Sequence, residues 1–332
     1  MTPSRPWTPL TLALALAAGC LDPGAPGNLV PRTVAEDPTL PQIQVNGTRL
    51  HAEAFGDAAA PTVVVLHGGP GSDYRSMLNL QALAGEGYRV VFWDQRGAGL
   101  SERHDGGSYS MAQYLADLRQ VVDTMTAPGQ PYVFIGHSWG AMYATWFINT
   151  YGDDRGRLAG AILSDPGAFT EAQLEAFLKR YTGTVDLLGE QFNDALWAGQ
   201  FMSADDQARA DYLLMLMALK GVPAEHKDPA DLPPMWREGA VVSAALLGLA
   251  KRDGFDFTTN LRSFGHHVLF LRSELDTAVP LEQQQELAAS YADAEVVTVT
   301  GTGHEMIWED PQQYLARTRD YFQAIGFRGV AQ

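Results

Sequence analysis

The chain carries a serine between two glycines, in the sequence GHSWG at residues 136–140. The apolar run YVFI precedes it at 132–135, and a helical pattern follows at once. A sharp Gly-x-Ser-x-Gly turn between a strand and a helix holds the serine hydroxyl out of the fold. The helix that follows directs its N-terminal amides at any negative charge that develops beside the serine. The pattern therefore predicts that Ser138 is a nucleophile, and the alternative is a glycine-rich turn in which the serine merely caps the helix.

A serine hydroxyl needs a neighbouring base, itself oriented by a carboxylate. When the serine lies at such a turn, the acid and then the histidine follow it along the chain. Of the eight histidines, only His304 lies in a glycine-rich loop after the last predicted strand, in TGTGHE. His266 and His267 begin a strand, and side-chain alternation predicts that His137 faces away from the serine. We therefore predict that His304 is the base.

Three carboxylates compete for the role of the acid. Asp276 ends the strand pattern HVLFLRSELD and precedes TAVP, so it lies in a rigid loop that faces the loop of His304. Asp165 follows the preceding strand and is the rival candidate, whereas Glu274 alternates to the other face from Asp276. We predict that Asp276 is the acid.

The oxyanion of an acyl-transfer intermediate needs two preorganised hydrogen-bond donors. The residue after the nucleophile supplies one, the amide of Trp139. The loop HGGPG at 67–71 follows an apolar strand, and we predict that the amide of Gly69 is the second donor. A phosphate-binding loop would require a following Lys-Ser/Thr, and the spacing of a dinucleotide fingerprint is missing as well.

A metal site finds no support in the sequence. His304-Glu305 is not followed by a second histidine at the required spacing, and there is no cysteine cluster. We expect neither a metal nor another cofactor.

The elements around these residues alternate between buried strands and helices, which predicts an α/β fold with a mostly parallel, doubly wound sheet. Asn46-Gly47 marks an opening hairpin, and Ser110 with Gln113 marks the start of a helix. About a hundred residues, mostly helical in pattern, separate two consecutive strands. The prediction is a core of residues 42–165 and 266–332 with a helical cap, 166–265, inserted into it.

The N-terminal residues have the pattern of an export signal. A short apolar run leads to Ala17-Ala18-Gly19-Cys20, which is typical of a bacterial lipoprotein leader at 1–20. The proline- and glycine-rich residues 21–41 are then expected to form a tether. We predict an exported protein that is lipidated at Cys20, its sole cysteine, with an ordinary secretory signal and a periplasmic or secreted protein as the alternative.

Charge narrows the range of partners. The 332 residues carry a formal charge of −16, with a pI near 4.8. A polyanion is repelled by nucleic acid and by anionic lipid surfaces. We therefore expect a small-molecule or short-peptide substrate, no nucleic acid, and membrane contact only through the lipid on Cys20.

Five motifs together resemble the α/β-hydrolase superfamily, and within it the prolyl aminopeptidase (proline iminopeptidase) branch. They are HGGPGS (67–72), WDQRGAGLS (93–101), GHSWG (136–140), ELDTAVP (274–280) and GTGHEMIWEDP (301–311). The resemblance covers residues 42–165 and 266–327. It implies an α/β-hydrolase fold, the triad and oxyanion donors named above, and a structural role for Arg96.

The cap departs from that branch, in which an acidic cap residue holds the free amino terminus of the substrate. Lys220 stands where the resemblance implies a glutamate, and Glu238 could supply the carboxylate from another turn. The alternative for Glu238 is a solvated helix charge.

Three functions are therefore open. The first is an aminopeptidase that releases a small N-terminal residue such as proline. The second is an ester, lactone or amide hydrolase whose apolar cap selects an uncharged acyl group, through Phe169, Leu174, Phe177, Leu213, Leu214, Met215 and Met217. The third is a non-catalytic binding protein on the same scaffold. Epoxide and haloalkane chemistry on this fold uses an aspartate nucleophile, so Ser138 argues against both.

Overall fold

The computed structural model of the chain describes residues 30–182, 205–220 and 234–330, with side chains omitted at 181–182 and 216–220. The predicted leader, Cys20 and the first part of the predicted tether lie outside this range.

An eight-stranded sheet forms the centre of the molecule, in the order β1-β2-β4-β3-β5-β6-β7-β8. The first two pairings, β1 with β2 and β2 with β4, are antiparallel, and all the others are parallel. The strands are β1 Gln42–Val45, β2 Thr48–Phe55, β3 Thr62–Leu66, β4 Arg89–Trp93, β5 Tyr132–His137, β6 Leu158–Ser164, β7 Val268–Ser273 and β8 Ala294–Val299. The prediction of a mostly parallel α/β sheet is confirmed.

The central strands are apolar on both faces because helices cover the sheet on both sides. All five residues of β3 are buried. Val64 and Leu66 join one hydrophobic core, and Val63 and Val65 join a second one on the opposite face. The period-2 alternation of a strand therefore divides one apolar run between two cores.

Eight α-helices surround the sheet in the described residues. They are α1 Met111–Met125, α2 Trp139–Tyr151, α3 Glu171–Thr182, α4 Asp206–Lys220, α5 Ala240–Asp253, α6 Leu281–Ala288, α7 Met306–Glu309 and α8 Pro311–Ala324. Short 3₁₀ segments lie at Arg75–Glu86, Gly106–Ser108 and Leu261–Ser263. Among these described helices, none is both long and apolar enough to cross a membrane.

Two local signals in the sequence produce the structures expected of them. Asn46 and Gly47 both have positive φ, at 40° and 76°, and join β1 to β2 through a two-residue hairpin turn. The side chain of Ser110 accepts a hydrogen bond from the amide of Gln113 over 3.2 Å and so begins α1.

The segment between β6 and β7 supplies α3, α4 and α5, and buried charges join it to the core. The Asp211 carboxylate on α4 accepts hydrogen bonds from Nε of Arg103 at 2.9 Å and from Nε of Arg237 at 2.8 Å. It also accepts a bond from the amide of Ala240 at 2.9 Å, where α5 begins. Because a buried carboxylate needs such partners, Asp211 fixes α4 to the start of α5 and to the core loop of Arg103.

Residues 30–41 pack against the fold, whereas their proline content suggested a tether. The side chain of Val34 is buried, and its amide donates to the carbonyl of Leu100 at 2.8 Å. The guanidinium of Arg237 donates to the carbonyl of Pro31 at 3.0 Å and contacts Glu36 at 3.3 Å. The burial of Val34 and the contacts of Arg237 therefore hold this proline-rich segment on the fold.

Candidate active site

Ser138 occupies the turn between β5 and α2 in a backbone conformation that is rare for a residue with a side chain, with φ 52° and ψ −116°. The two glycines of the motif make this turn possible. A Cβ on Gly136 would lie 2.5 Å from the carbonyl oxygen of Gly140, and one on Gly140 would lie 2.0 Å from that of Leu66. The amide of Ser138 donates to the carbonyl of Ser164 at 2.7 Å. The strand-to-helix turn predicted from the sequence is therefore present and is held in place by β6.

His304 and Asp276 meet at the carboxyl ends of the strands, with 2.6 Å between Nδ1 and Oδ2. The amide of Ala278 donates to the other carboxylate oxygen at 2.8 Å. Burial alone would lower the pKa of His304, but the hydrogen bond and the charge of Asp276 outweigh it and raise the pKa above its usual value. Burial alone would raise the pKa of Asp276, but the hydrogen bond from His304 holds that pKa below its usual value. Asp276 therefore stabilises the positive charge that the imidazole ring carries once it has taken up a proton.

The two rival carboxylates have different surroundings. Glu274 accepts a hydrogen bond from the amide of Gly301 at 2.8 Å and braces the loop that carries His304. Asp165 is fully buried, with its carboxylate 4.0 Å from Nδ1 of His304, and accepts hydrogen bonds from the amide and hydroxyl of Ser273. Burial, reinforced by the charge of Asp276, raises the pKa of Asp165 to about 7. Both aspartates considered from the sequence therefore lie beside the same imidazole.

His137 contacts the loop of His304, although alternation suggested that it faces away from the site. Its Nε2–H donates to the backbone carbonyl of His304 at 2.7 Å, and the two rings lie 4.7 Å apart. Burial lowers the pKa of His137, which favours the neutral ring. Strand alternation alone does not reveal that the loop after β8 folds over the face on which His137 lies.

The loop after β3 passes close to the nucleophile. A Cβ on Gly68 would lie 3.5 Å from Cβ of Ser138, an ordinary van der Waals distance, so the backbone of Gly68 passes next to the nucleophile. Gly69 has φ 118°, and a Cβ there would lie 2.4 Å from the amide nitrogen of Gly71. The loop HGGPG therefore passes beside Ser138, and the role of the Gly69 amide stays a prediction.

Gln95 joins the two sides of this site, and the sequence analysis missed it. Its backbone amide donates to Nε2 of His67, and its side-chain amide donates to the His67 carbonyl, both at 3.0 Å. Its side-chain oxygen accepts a hydrogen bond from the indole of Trp139 at 2.8 Å. The available signal was the position of Gln95, two residues after β4, which pairs with β3 in the sheet, since the ends of neighbouring parallel strands lie together.

Arg96 has the structural role that the resemblance implied. Its guanidinium makes two hydrogen bonds to Asp117 on α1, at 2.6 and 3.0 Å, and one to the carbonyl of Asn46 at 3.1 Å. Both ionic side chains are buried. Arg96 therefore anchors the loop after β4 to α1.

Glu238 lies against the glycine-rich loop. Its carboxylate accepts a hydrogen bond from the hydroxyl of Ser72 at 2.8 Å, and the next amide, of Gly239, donates to the carbonyl of Gly71 at 2.7 Å. Only 4% of Glu238 is exposed, so it is not a solvated helix charge. Burial raises its pKa to about 7, and the neighbouring negative charges of Asp211 and Glu305 add to this effect.

The apolar residues assigned to the cap fall into two groups. Phe169 and Leu174 are buried in the core, where the ring of Phe169 lies 6.1 Å from that of Phe270. The half-buried residues are Phe177, Leu213, Leu214 and Met215. The side chains of Met217 and Lys220 lie outside the described part of the structure.

Within the described residues, one group of side chains has the composition of a small cation site. It consists of Asp165, Asp276 and His304, whose ligand atoms lie within 4.8 Å of one another. A metal at His304 Nδ1 would have to displace the proton that this atom donates to Asp276.

The match to known proteins covers the sheet from β3 onward and the helices around it. Residues 63–318 match the alpha/beta hydrolase family. The chain belongs to this family.

Individual relatives of this hydrolase differ in the reactions for which they are named. Epoxide hydrolase B of Mycobacterium tuberculosis is 40% identical over 123 residues, 36% of this chain and 33% of the relative. Proline iminopeptidase of Heyndrickxia coagulans is 25% identical over 296 residues, 85% of this chain and 98% of the relative. A thermophilic esterase structure from Thermogutta terrifontis superposes with a TM-score of 0.62 at 21% identity, over 86% of this chain and 97% of the esterase.

These relatives support hydrolysis as the class of reaction. The match with the epoxide hydrolase spans only a third of that protein's length, and the likeness to the esterase shows the fold alone.

Proposed function

We propose that this hydrolase cleaves acyl bonds through a Ser138–His304–Asp276 triad and a covalent acyl-enzyme. The observation that carries the proposal is the conformation of Ser138, which is held at positive φ next to the loop of the hydrogen-bonded His304–Asp276 pair. A non-glycine residue in this region of φ/ψ space costs roughly 1–3 kcal/mol, and such strain persists mainly at functional sites.

In the proposed reaction the oxygen of Ser138 attacks the acyl carbonyl, and His304 takes its proton through Nε2. Asp276 holds Nδ1 and stabilises the imidazolium, in accord with the raised pKa of His304. His304 then gives the proton to the leaving group, and water repeats the sequence on the acyl-enzyme.

The tetrahedral oxyanion is bound by the amides of Trp139 and Gly69. Trp139 begins α2, so its amide is one of the unpaired N–H groups at a helix N-terminus. Gly69 lies in the loop that approaches the serine. Removing one such donor typically lowers kcat by about 10²–10³-fold.

For the substrate we propose a short peptide or amide with a free amino terminus, released as in a proline iminopeptidase. Glu238 supports this choice because its buried carboxylate is hydrogen bonded to Ser72, on the loop that carries Gly69. The charge of Glu305, the residue after His304, also acts on Glu238. Two acidic residues near one nucleophile favour a cationic group on the substrate.

An ester, lactone or amide hydrolase of uncharged substrates is the second candidate. The observation in its favour is that Glu238 is already hydrogen bonded and has a pKa of about 7, so part of its population is neutral near neutral pH. A neutral carboxyl group does not attract an ammonium group. Epoxide hydrolysis is not proposed, because a serine occupies the position of the nucleophile.

The test compares proline p-nitroanilide with p-nitrophenyl acetate on the full-length protein and on Ser138→Ala. We expect Ser138→Ala to lose activity by about 10⁶-fold, the scale seen when a triad serine is removed. Full activity in Ser138→Ala would exclude the triad, and activity absent from the parent protein would favour the non-catalytic binding function.

Glu238→Gln then separates the two substrate classes. It keeps the size of the side chain and removes the charge. If the amino terminus is recognised, kcat/KM should fall by about tenfold or more for the prolyl substrate, on the scale of a lost charged hydrogen bond, and much less for the ester. Equal effects on both substrates would favour the second candidate.

A further inference from the structure

Two carboxylates face one imidazole in this site. Oδ2 of Asp276 lies 2.6 Å from Nδ1 of His304, and Oδ2 of Asp165 lies 4.0 Å from the same atom. Asp276 follows β7 and Asp165 follows β6. They therefore come from adjacent strands of the sheet.

Asp165 is held in this place by its backbone and by Ser273. It has φ 45°, in the left-handed region, and its amide donates to the carbonyl of Leu271 at 3.0 Å. The amide of Ser273 donates to its carboxylate at 3.1 Å, and the hydroxyl of Ser273 donates as well. These contacts fix the carboxylate beside His304 on the side of Nδ1.

The charge of Asp165 has one cationic neighbour in the described part of the chain. The side chain of Asp165 is fully buried. Among the described residues, His304 is the only one that forms an ion pair with it. Arginine side chains neutralise the buried Asp117 and Asp211, whereas no arginine or lysine forms an ion pair with Asp165 among the described residues. A buried carboxylate without a permanent counterion is stabilised when a positive charge forms next to it.

We propose that Asp165 is a second acid for His304, a positioning residue that stabilises the imidazolium together with Asp276 and holds the ring when Asp276 is lost. This inference rests on the proposed triad. No extra proton is transferred: the proton moves from Ser138 to Nε2 of His304, and the charge that appears on the ring is shared by two carboxylates. Asp165 does not touch the substrate.

The proposal is tested with Asp276→Ala, Asp165→Asn and the double variant, using p-nitrophenyl acetate. Alanine at 276 leaves room for Nδ1 to move toward Asp165. In a triad with one acid, removing that acid lowers kcat by about 3 × 10⁴-fold. With a second acid in place, we expect a loss of about 10²–10³-fold for Asp276→Ala, about tenfold for Asp165→Asn, and about 10⁴-fold or more for the double variant.

A pH profile separates this role from a purely structural one. The titratable groups around Asp165 are Asp276, His304 and Tyr314, and the charge of Asp165 acts on the last of these through space. The activity of Asp276→Ala should rise with pH in two steps, one as Asp165 loses its proton and one as His304 loses its proton. The double variant should keep only the step from His304.

If Asp165→Asn does not fold, which circular dichroism and urea unfolding report, Ser273→Ala in the Asp276→Ala background replaces it. Loss of the hydroxyl donor raises the pKa of Asp165, so the additional step should move to higher pH. An unmoved step, or a double variant no slower than Asp276→Ala, would overturn the inference. Full activity in Ser138→Ala would instead overturn the proposed triad, so the two failures are distinguishable.

Discussion

Gln95 offers the sharpest test of how the oxyanion site is assembled. Its side chain donates to the carbonyl of His67 at 3.0 Å and accepts from the indole of Trp139 at 2.8 Å. His67 leads into the loop of Gly69, and Trp139 supplies the other proposed donor. One side chain therefore sets the spacing between the two halves of the proposed oxyanion hole.

The perturbation is Gln95→Met, which keeps the length of the side chain and removes both polar groups. The His67 carbonyl and the Trp139 indole N–H are buried with their residues, and each would lose its side-chain partner. An unsatisfied buried group costs about 1–3 kcal/mol, so losing the partners of both groups should lower the free energy of unfolding by about 2–6 kcal/mol. Loss of a whole oxyanion donor lowers kcat by about 10²–10³-fold. A displaced donor should lower kcat by about 10–100-fold.

The assay is steady-state kinetics with p-nitrophenyl acetate, combined with urea unfolding followed by tryptophan fluorescence. We expect kcat to fall while KM changes little, because a donor to the oxyanion acts chiefly in the transition state. Gln95→Glu is the comparison variant, since it keeps the acceptor for Trp139 and replaces the donor to the His67 carbonyl with an acceptor. A Gln95→Met protein with reduced stability and unchanged kcat would refute the positioning role.

Three further predictions concern stability. Glu238 has a pKa raised to about 7, so the folded state binds its proton more tightly than the unfolded state, and stability falls as pH rises from about 4.5 to 7. Glu238→Gln should remove up to about 3 kcal/mol of that decline, measured by urea unfolding at pH 5 and pH 8.5; parallel pH curves for both proteins would contradict this. Gly71→Ala should lower the unfolding free energy by about 2 kcal/mol or more, because Gly71 has φ 108° and its Cβ would lie 2.7 Å from a backbone oxygen of the cap. Gly107→Ala, whose Cβ meets nothing within 4 Å, is the control, and equal stability of the two variants would refute the argument. Arg96→Lys should destabilise by about 3 kcal/mol because its buried aspartate partner loses a bidentate bond. The exposed Arg252→Lys should unfold like the parent, and similar midpoints for both lysine variants would count against a buried ion pair.

The core of this hydrolase could be predicted because its signals are local. The turn at Ser138 needs glycines at two fixed positions, and the hairpin at 46–47 needs two residues that accept positive φ. Buried parallel strands need continuous apolar runs. Each of these requirements can be read from fewer than ten neighbouring residues.

Contacts between distant segments could not be predicted in the same way. Nothing near His137 in the sequence indicates that its ring binds the carbonyl of His304, 167 residues further on. The same holds for Val34, which a proline-rich context assigned to a tether and which packs in the core. Glu238 can be singled out from the sequence as a carboxylate of the cap, but its burial against Ser72 depends on the folded loop.

The cap and the oxyanion loop form one structural unit, and this limits how the substrate specificity of the protein can vary. Three consecutive loop residues each bind the segment that leads into α5. The carbonyl of Gly71 accepts the amide of Gly239, the hydroxyl of Ser72 donates to Glu238, and Asp73 accepts the two amides that precede Glu238. Burial and the neighbouring Asp94 raise the pKa of Asp73 above its usual value, so the contact between this loop and the cap contains a titratable group. A change in the cap that moves this segment must also move the loop of the proposed oxyanion donor. Substrate selection through the cap should therefore alter kcat as well as KM, because Glu238, which we propose to recognise the substrate, is bound to the loop that we propose to stabilise its transition state.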